Sequence, residues 1–285
     1  MAGTRMDGGA TSAELVKSYY TESVRSEWRR LIQGAKQRLE METTLHFLAQ
    51  SLPESGLILD AGGGPGRYTI ELARRGYDMV LLDMTPANLA FAQRQIKRAK
   101  VQANVHGVVE GTIVDLAHFD DESFDAALCL GGPLSHVLDA GARTQAVDEL
   151  LRVVKPGGVV AVSVMGRLSV LALELALFPE EIDMPVHAQI RDTGSYFGGS
   201  GFTACHFFLP EELTQLFEGR DVTVEALVGL EGLSARLNKA TNRTARHPER
   251  WQRWLETHLK TCTHPAVVGM SEHLLIVVRK EETPR

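Results

Sequence analysis

Between Leu57 and Val164 the chain alternates short apolar runs with helix-like segments, and this alternation constrains its fold more than any other feature. Leu57-Ile58-Leu59 ends in Asp60 and a glycine cluster, and Met79-Val80-Leu81-Leu82 ends at Asp83; further runs cover 105–110, 124–130 and 159–164. None of them alternates apolar with polar residues, so each predicts a strand buried on both faces, as in a parallel sheet covered by helices. The segments between carry helix signals. Residues 68–75 are closed by Gly76, 86–100 open with Thr85 as N-cap and Pro86 at the first position, and 142–154 stop at Lys155-Pro156-Gly157-Gly158. Elements in this order predict an α/β fold built on a doubly wound, mostly parallel sheet.

The flanks complete the plan. Residues 1–12 are polar and Gly-rich and predict a disordered tail. Residues 13–50 carry apolar positions at three-to-four spacing and predict a helical lid. After Val164 the alternation breaks into an insertion at about 165–208, with an apolar helix at 168–178 and then a Gly- and aromatic-rich stretch. A helix at 210–217 follows, and strands at 222–228 and 274–278 bring the sheet to seven, the last two as an antiparallel addition. A second insertion, about 232–270, lies between them. No linker separates a second unit, so 51–285 reads as one domain capped by its insertions. Trp251 and Trp254 share a helix face, which fits core packing or a homodimer contact.

Composition narrows the function. A formal net charge of −6 is a poor match for a nucleic-acid partner. The longest apolar stretch, Leu168 to Phe178, carries Glu174 and falls short of the roughly 20 residues that span a membrane. The N-terminus lacks the apolar core of a signal peptide. Three cysteines cannot build a disulfide framework, which points to a reducing cytoplasm. Neither Cys205-His206 nor Cys262-x-His264 makes a C-x-x-C pair, so no metal site is expected, and Cys129 falls in a buried strand.

The segment that carries chemistry is Asp60-Ala61-Gly62-Gly63-Gly64-Pro65-Gly66-Arg67, where a buried strand turns through glycines into a helix. Dinucleotide-binding folds use G-x-G-x-x-G, with a pyrophosphate at the helix N-terminus. Here the spacing is G-x-G-x-G, one residue shorter. This form, with an acid ending the strand, resembles motif I of class I S-adenosylmethionine-dependent methyltransferases. The likeness continues through Asp83-Met84, Gly111-Thr112-Ile113-Val114-Asp115-Leu116, the fourth strand and Lys155-Pro156-Gly157-Gly158, covering roughly 55–165 in order.

The resemblance implies a Rossmann-like methyltransferase fold with S-adenosylmethionine as cofactor and S-adenosylhomocysteine as product. Asp60, Gly62, Gly63, Gly64 and Gly66 would wrap the ribose and methionine portion. Asp83 would accept from both ribose hydroxyls, since one carboxylate offers two oxygens to a vicinal diol. Met84 would lie against the adenine. Thr112 stands where the family's common acid sits, so its hydroxyl or the backbone around Ile113 and Val114 would meet the adenine amino group. Leu130 and Gly131 begin the loop that touches the methionine part and the acceptor. Tyr20, beside Tyr19 in the lid, would approach the cofactor; Arg67, with Arg29 as second candidate, would pair with the methionine carboxylate or with an acid of the cap.

His136, in the loop after the fourth strand, is the candidate base, because ligands bind beyond the carboxyl ends of the strands. Met165, Arg167, Tyr196 and His206 are candidates for the acceptor pocket. A cap over a compact cavity favours a small-molecule acceptor; transfer to tRNA or protein is the alternative. An NAD(P)-dependent oxidoreductase conflicts with the glycine spacing and with the lack of a Tyr-x-x-x-Lys pair, and a non-catalytic S-adenosylmethionine-binding protein stays open.

Overall fold

The structure, a computed structural model, describes residues 11–199 and 201–282. Two helices, Ser12–Arg30 (α1) and Ala35–Ser51 (α2), precede the sheet. Strands Leu57–Ala61 (β1), Asp78–Asp83 (β2), Val105–Glu110 (β3), Phe124–Cys129 (β4) and Val154–Met165 (β5) then alternate with helices. Those helices are Arg67–Arg74 (α3), Pro86–Ala99 (α4) and Ala140–Val153 (α5). The first insertion holds Arg167–Leu177 (α6), Pro185–Thr193 (α7) and the short pair Ser195–Tyr196 (β6) and Cys205–His206 (β7). Pro210–Gln215 (α8) and Val222–Gly229 (β8) follow. Asn238–Thr244 (α9), Pro248–Thr261 (α10) and Pro265–Met270 (α11) make the second insertion, and His273–Lys280 (β9) closes the chain's last strand.

The sheet has seven strands in the order β3-β2-β1-β4-β5-β9-β8. β1 to β5 pair in parallel, and β9 runs antiparallel to both β5 and β8. Successive residues of the inner strands enter different cores. Leu59, Ala61, Ala127 and Val160 pack on one face, whereas Ile58, Ala126, Leu128 and Ala161 pack on the other. Two covered faces explain why these strands read as unbroken apolar runs. The strand order reverses between β1 and β4, which opens a crevice at their carboxyl ends.

Several expectations are corrected. The tail assigned to 1–12 lies outside the described residues as far as residue 10, but Thr11 is ordered as the N-cap of α1. Its backbone and hydroxyl donate to the Glu14 carboxylate at 2.6 and 2.9 Å, and its hydroxyl accepts from the Glu14 N–H at 3.3 Å, a capping box. β5 starts at Val154 and runs through the Pro-Gly-Gly segment, with a register irregularity against β4 between Phe124 and Ala126. The Gly- and aromatic-rich insertion contains an unforeseen helix, α7. Pro185 begins it, Ile190 is its buried residue and Gly194 ends it in the left-handed region. Among the described residues no helix is long and apolar enough to cross a membrane.

Candidate functional site

One cavity of about 290 Å³ opens where the strand order reverses, between the loops after β1, β2, β3 and β4 and the overlying α1. Gly62, Gly63 and Gly64 form its floor. Gly62 has φ +78, and a Cβ there would lie 2.6 Å from Pro133, so only glycine lets the loops after β1 and β4 approach this closely. The Gly62 and Gly63 N–H groups donate to Leu82 O at 2.7 and 3.1 Å, which ties the loop to β2. Gly66 is the N-cap of α3 with φ +79; its missing Cβ lets α3 pack on Ala92 of α4, and it supports the cavity without lining it.

Asp60 also stands beneath the cavity. Its Oδ2 accepts the Thr69 N–H and hydroxyl at 3.1 and 2.5 Å, and its buried Oδ1 has no protein partner. Burial pushes its carboxyl up to about 6, against those two hydrogen bonds. Asp83 at the end of β2 lines the wall. Oδ2 accepts from Gly64 N at 2.9 Å; Oδ1 accepts from Thr85 N at 2.9 Å and Asn88 Nδ2 at 3.2 Å. Burial raises the Asp83 carboxyl despite these donors. Its Oδ2 keeps acceptor capacity, and further donors would favour the charged form.

Met84, Thr112, Ile113 and Val114 line the next part of the wall. The Thr112 hydroxyl takes the Val114 N–H at 3.4 Å, so it braces its own loop. Leu130 and Gly131 face the same space from β4, and α1 closes it with Val16, Tyr20, Glu27 and Arg30. Arg67 lines the cavity too, but its guanidinium stacks 3.6 Å from the Trp28 ring centroid and donates to the Trp28 carbonyl, so it fastens α1 to α3.

His136, in the loop after β4, touches both α1 and the segment before β7. Its Nδ1 lies 2.9 Å from the Ala204 carbonyl, which can only accept, so Nδ1 carries the ring proton. Nε2 is therefore the acceptor, and the Tyr20 hydroxyl donates to it at 2.8 Å. Burial pushes the imidazole down to about 4, so the ring is neutral at physiological pH. Tyr20, Tyr19, Phe202 and His136 cluster around this bond, three of the four ring contacts T-shaped and His136–Phe202 tilted, with neighbouring centroids 5.2 to 5.7 Å apart.

The acceptor-side candidates lie elsewhere. Met165, Arg167, Tyr196 and His206 do not line the cavity. Arg167 pairs with Glu212 at 2.5 and 2.7 Å and donates to Phe207 O at 3.1 Å. His206 approaches the same Glu212 at 3.6 Å, and Met165 and Tyr196 pack on the small cap core around Cys205. Arg29 is exposed and donates to Arg25 O at 3.2 Å. Arg30, one residue on, lines the cavity beside Arg67. A helical projection from Tyr20 carries the signal: Val16, Tyr20, Glu27 and Leu31 fall on one face, which turns Arg30 inward and Arg29 out. Thr85 and Asn88, at the start of α4, were also missed. Among the described residues, the only His, Cys, Asp or Glu side chains grouped closely enough to share an ion are Glu40, Glu231 and His273, so neither cysteine–histidine pair contributes to such a group. Trp254 donates to Ser234 at 2.9 Å within the chain.

Residues 58–158 match the family model described as a methyltransferase domain. Over 125 residues the chain is 36% identical to the ubiquinone biosynthesis O-methyltransferase of Alkalilimnicola ehrlichii, covering 43% of this chain and 48% of that one. The chain spans about half the length of the curated relatives it matches. A SAM-dependent methyltransferase of Methanosarcina mazei superposes with TM-score 0.59 at 19% identity, over 83% of this chain and 98% of the other. The 1,6-didemethyltoxoflavin-N1-methyltransferase of Burkholderia thailandensis, solved with 1,6-didemethyltoxoflavin and S-adenosylhomocysteine, superposes with TM-score 0.56 at 17% identity, over 99% and 94%. At these identities the two structures share its fold.

Proposed function

We propose, from the premise that this chain carries a class I methyltransferase domain, that it transfers a methyl group from S-adenosylmethionine to a small-molecule acceptor. The observation that carries the reading is the convergence of the Gly62 floor, the buried Asp83 carboxylate and Arg30 on one cavity. A close-approach floor, an acceptor for a vicinal diol and a cation for a carboxylate match the parts of an amino-acid-bearing nucleoside. Bound S-adenosylmethionine would supply a methyl group on a positively charged sulfur, a leaving group that needs no acid.

The chain's residues supply binding and alignment. Asp83 Oδ2 accepts from the ribose side, while Met84, Ile113 and Val114 hold the base. Thr112 contributes at the edge, and Leu130 and Gly131 shape the path to the acceptor. Arg30 reaches Gly131, with Nη2 3.1 Å from where a Cβ would stand there, and takes the carboxylate that Arg67 and Arg29 are too engaged or too remote to hold. Holding a nucleophile at roughly 3–3.5 Å from the methyl carbon, in line with sulfur, supplies up to ~7–11 kcal/mol of the barrier. His136 would take a proton from a hydroxyl acceptor once the Tyr20 hydroxyl leaves Nε2.

Small acceptors are favoured over tRNA or protein because Tyr20 of α1 and His136, hydrogen-bonded to each other, line the cavity. The 1,6-didemethyltoxoflavin and ubiquinone-pathway relatives support the same choice. The test is incubation with methyl-labelled S-adenosylmethionine and a cell extract split into small-molecule, RNA and protein fractions. Label in the small-molecule fraction is expected; label confined to RNA or protein overturns the acceptor class.

A further inference from the structure

Arg30 does not reach the cavity unaided. Its Nη1 is held by both Glu40 oxygens at 2.8 and 2.7 Å and its Nε by Glu27 at 3.3 Å, which directs Nη2 toward Gly131. Glu40 is 3% exposed and is shared. His273 Nδ1 lies 3.7 Å from Glu40 Oε2 and 2.6 Å from Glu231 Oε1. Glu231, 1% exposed, also accepts from the Ser271 hydroxyl and the His273 N–H, both at 2.9 Å. His273 begins β9 and pairs with Met165 at the end of β5, so this chain of charges runs from the carboxyl edge of the sheet to the lid helix.

We propose that Glu40, His273 and Glu231 are positioning residues for Arg30, and that the charge on His273 sets how strongly the cavity holds the carboxylate of its ligand. The inference rests on the cofactor reading above. The groups facing His273 are Arg30 from α1, Glu40 from α2 and Glu231 from the turn after β8. Lys36 acts on Glu231 from a distance, but its ammonium is bonded to Glu272, which Arg236 also approaches at 3.6 Å. A proton on the imidazole balances two buried carboxylates that one arginine cannot. Burial alone would push the His273 ring down, but Glu40 and Glu231 outweigh it and hold the ring above its ordinary value. With His273 charged, Glu40 divides between two cations and Arg30 keeps its field for a ligand. With His273 neutral, Glu40 neutralises Arg30 more fully, and Glu231 adds an uncompensated charge that opposes an incoming carboxylate.

Calorimetric titration of the full chain with two probes tests this. S-adenosylhomocysteine carries the carboxylate; 5′-methylthioadenosine lacks the whole amino-acid end. Affinity of the unmodified protein for S-adenosylhomocysteine is expected to fall about five-fold or more from pH about 6.5 to about 8, the lower range of coupling between linked sites, with 5′-methylthioadenosine unchanged. His273→Gln is expected to weaken S-adenosylhomocysteine at the lower pH, abolish the pH dependence and spare 5′-methylthioadenosine. A pH-independent affinity in the unmodified protein overturns the inference without needing the variant. Equal weakening of both probes by His273→Gln also overturns it, because that marks a purely structural role. If the unmodified protein binds neither probe, the cofactor reading itself falls.

Discussion

The Tyr20 hydroxyl donates to His136 Nε2 at 2.8 Å, and this bond joins α1 to the loop after β4. The backbone carbonyl of Ala204 fixes the opposite ring nitrogen as the donor. α1, the loop after β4 and the segment that carries Ala204 therefore meet on one neutral imidazole.

That arrangement predicts an acid-sensitive fold. The His136 ring titrates at about 4 in the folded chain against an ordinary value of 6.5. On acidification the unfolded chain takes up its proton first, so the contribution of neutral His136 is complete above pH about 6.5 and fades toward pH about 4. Urea unfolding across this window should show stability falling with pH, and His136→Gln should lose less over the same interval. Tyr20→Phe should cost about 1–3 kcal/mol, because the buried Nε2 is left without its donor.

Gly62→Ala should damage the cavity more than its strain alone implies. A φ of +78 costs an alanine about 1–2 kcal/mol. The new Cβ would also meet Pro133 at 2.6 Å, forcing the loops after β1 and β4 apart. Affinity for S-adenosylhomocysteine should fall about tenfold or more, equivalent to ~1.4 kcal/mol. Gly76→Ala is the control: its φ is +97, but nothing lies within 4 Å of its Cβ. It should cost stability and leave binding unchanged, as unfolding and titration of both variants would show.

α2 is anchored beside β9 by Lys36, whose Nζ lies 2.6 and 2.5 Å from the Glu272 oxygens. Both side chains are largely buried, at 7% and 12% exposed. Lys36→Met should destabilise the chain by about 1.5–3 kcal/mol, because Glu272 loses its buried ammonium and keeps only the Arg236 N–H at 2.8 Å and the Arg236 guanidinium at 3.6 Å. Adding Glu272→Leu should recover part of that loss, and not all, since Arg236 then loses its own carboxylate. Denaturant midpoints of the single and double variants provide the measurement.

The parts legible in the sequence were those set by local rules. Asp83, Met84 and the glycines are placed by a strand ending in a turn, and the turn chemistry is written beside them. Arg30 depends on the phase at which a lid helix docks, and two adjacent arginines hide that choice. Chain order after β5 placed Met165, Arg167, Tyr196 and His206 near the acceptor. Yet the cap folds so that Arg167 and His206 face Glu212 instead. The donor Arg167 lies 45 residues from the Glu212 carboxylate in sequence, a pairing no periodicity reveals. The chain Glu40–His273–Glu231 is hidden for the same reason, since it joins α2, β9 and the turn after β8.

The most direct test of the cavity's assignment is calorimetric titration with S-adenosylhomocysteine and with NAD, on the unmodified protein and on Asp83→Ala. S-adenosylhomocysteine should bind the unmodified protein, and the variant should bind it about tenfold or more weaker, because hydrogen bonds to a charged group contribute about 1.5–3 kcal/mol each. NAD should give no binding heat. Binding of NAD without S-adenosylhomocysteine, or equal affinity of both proteins for S-adenosylhomocysteine, would contradict the assignment.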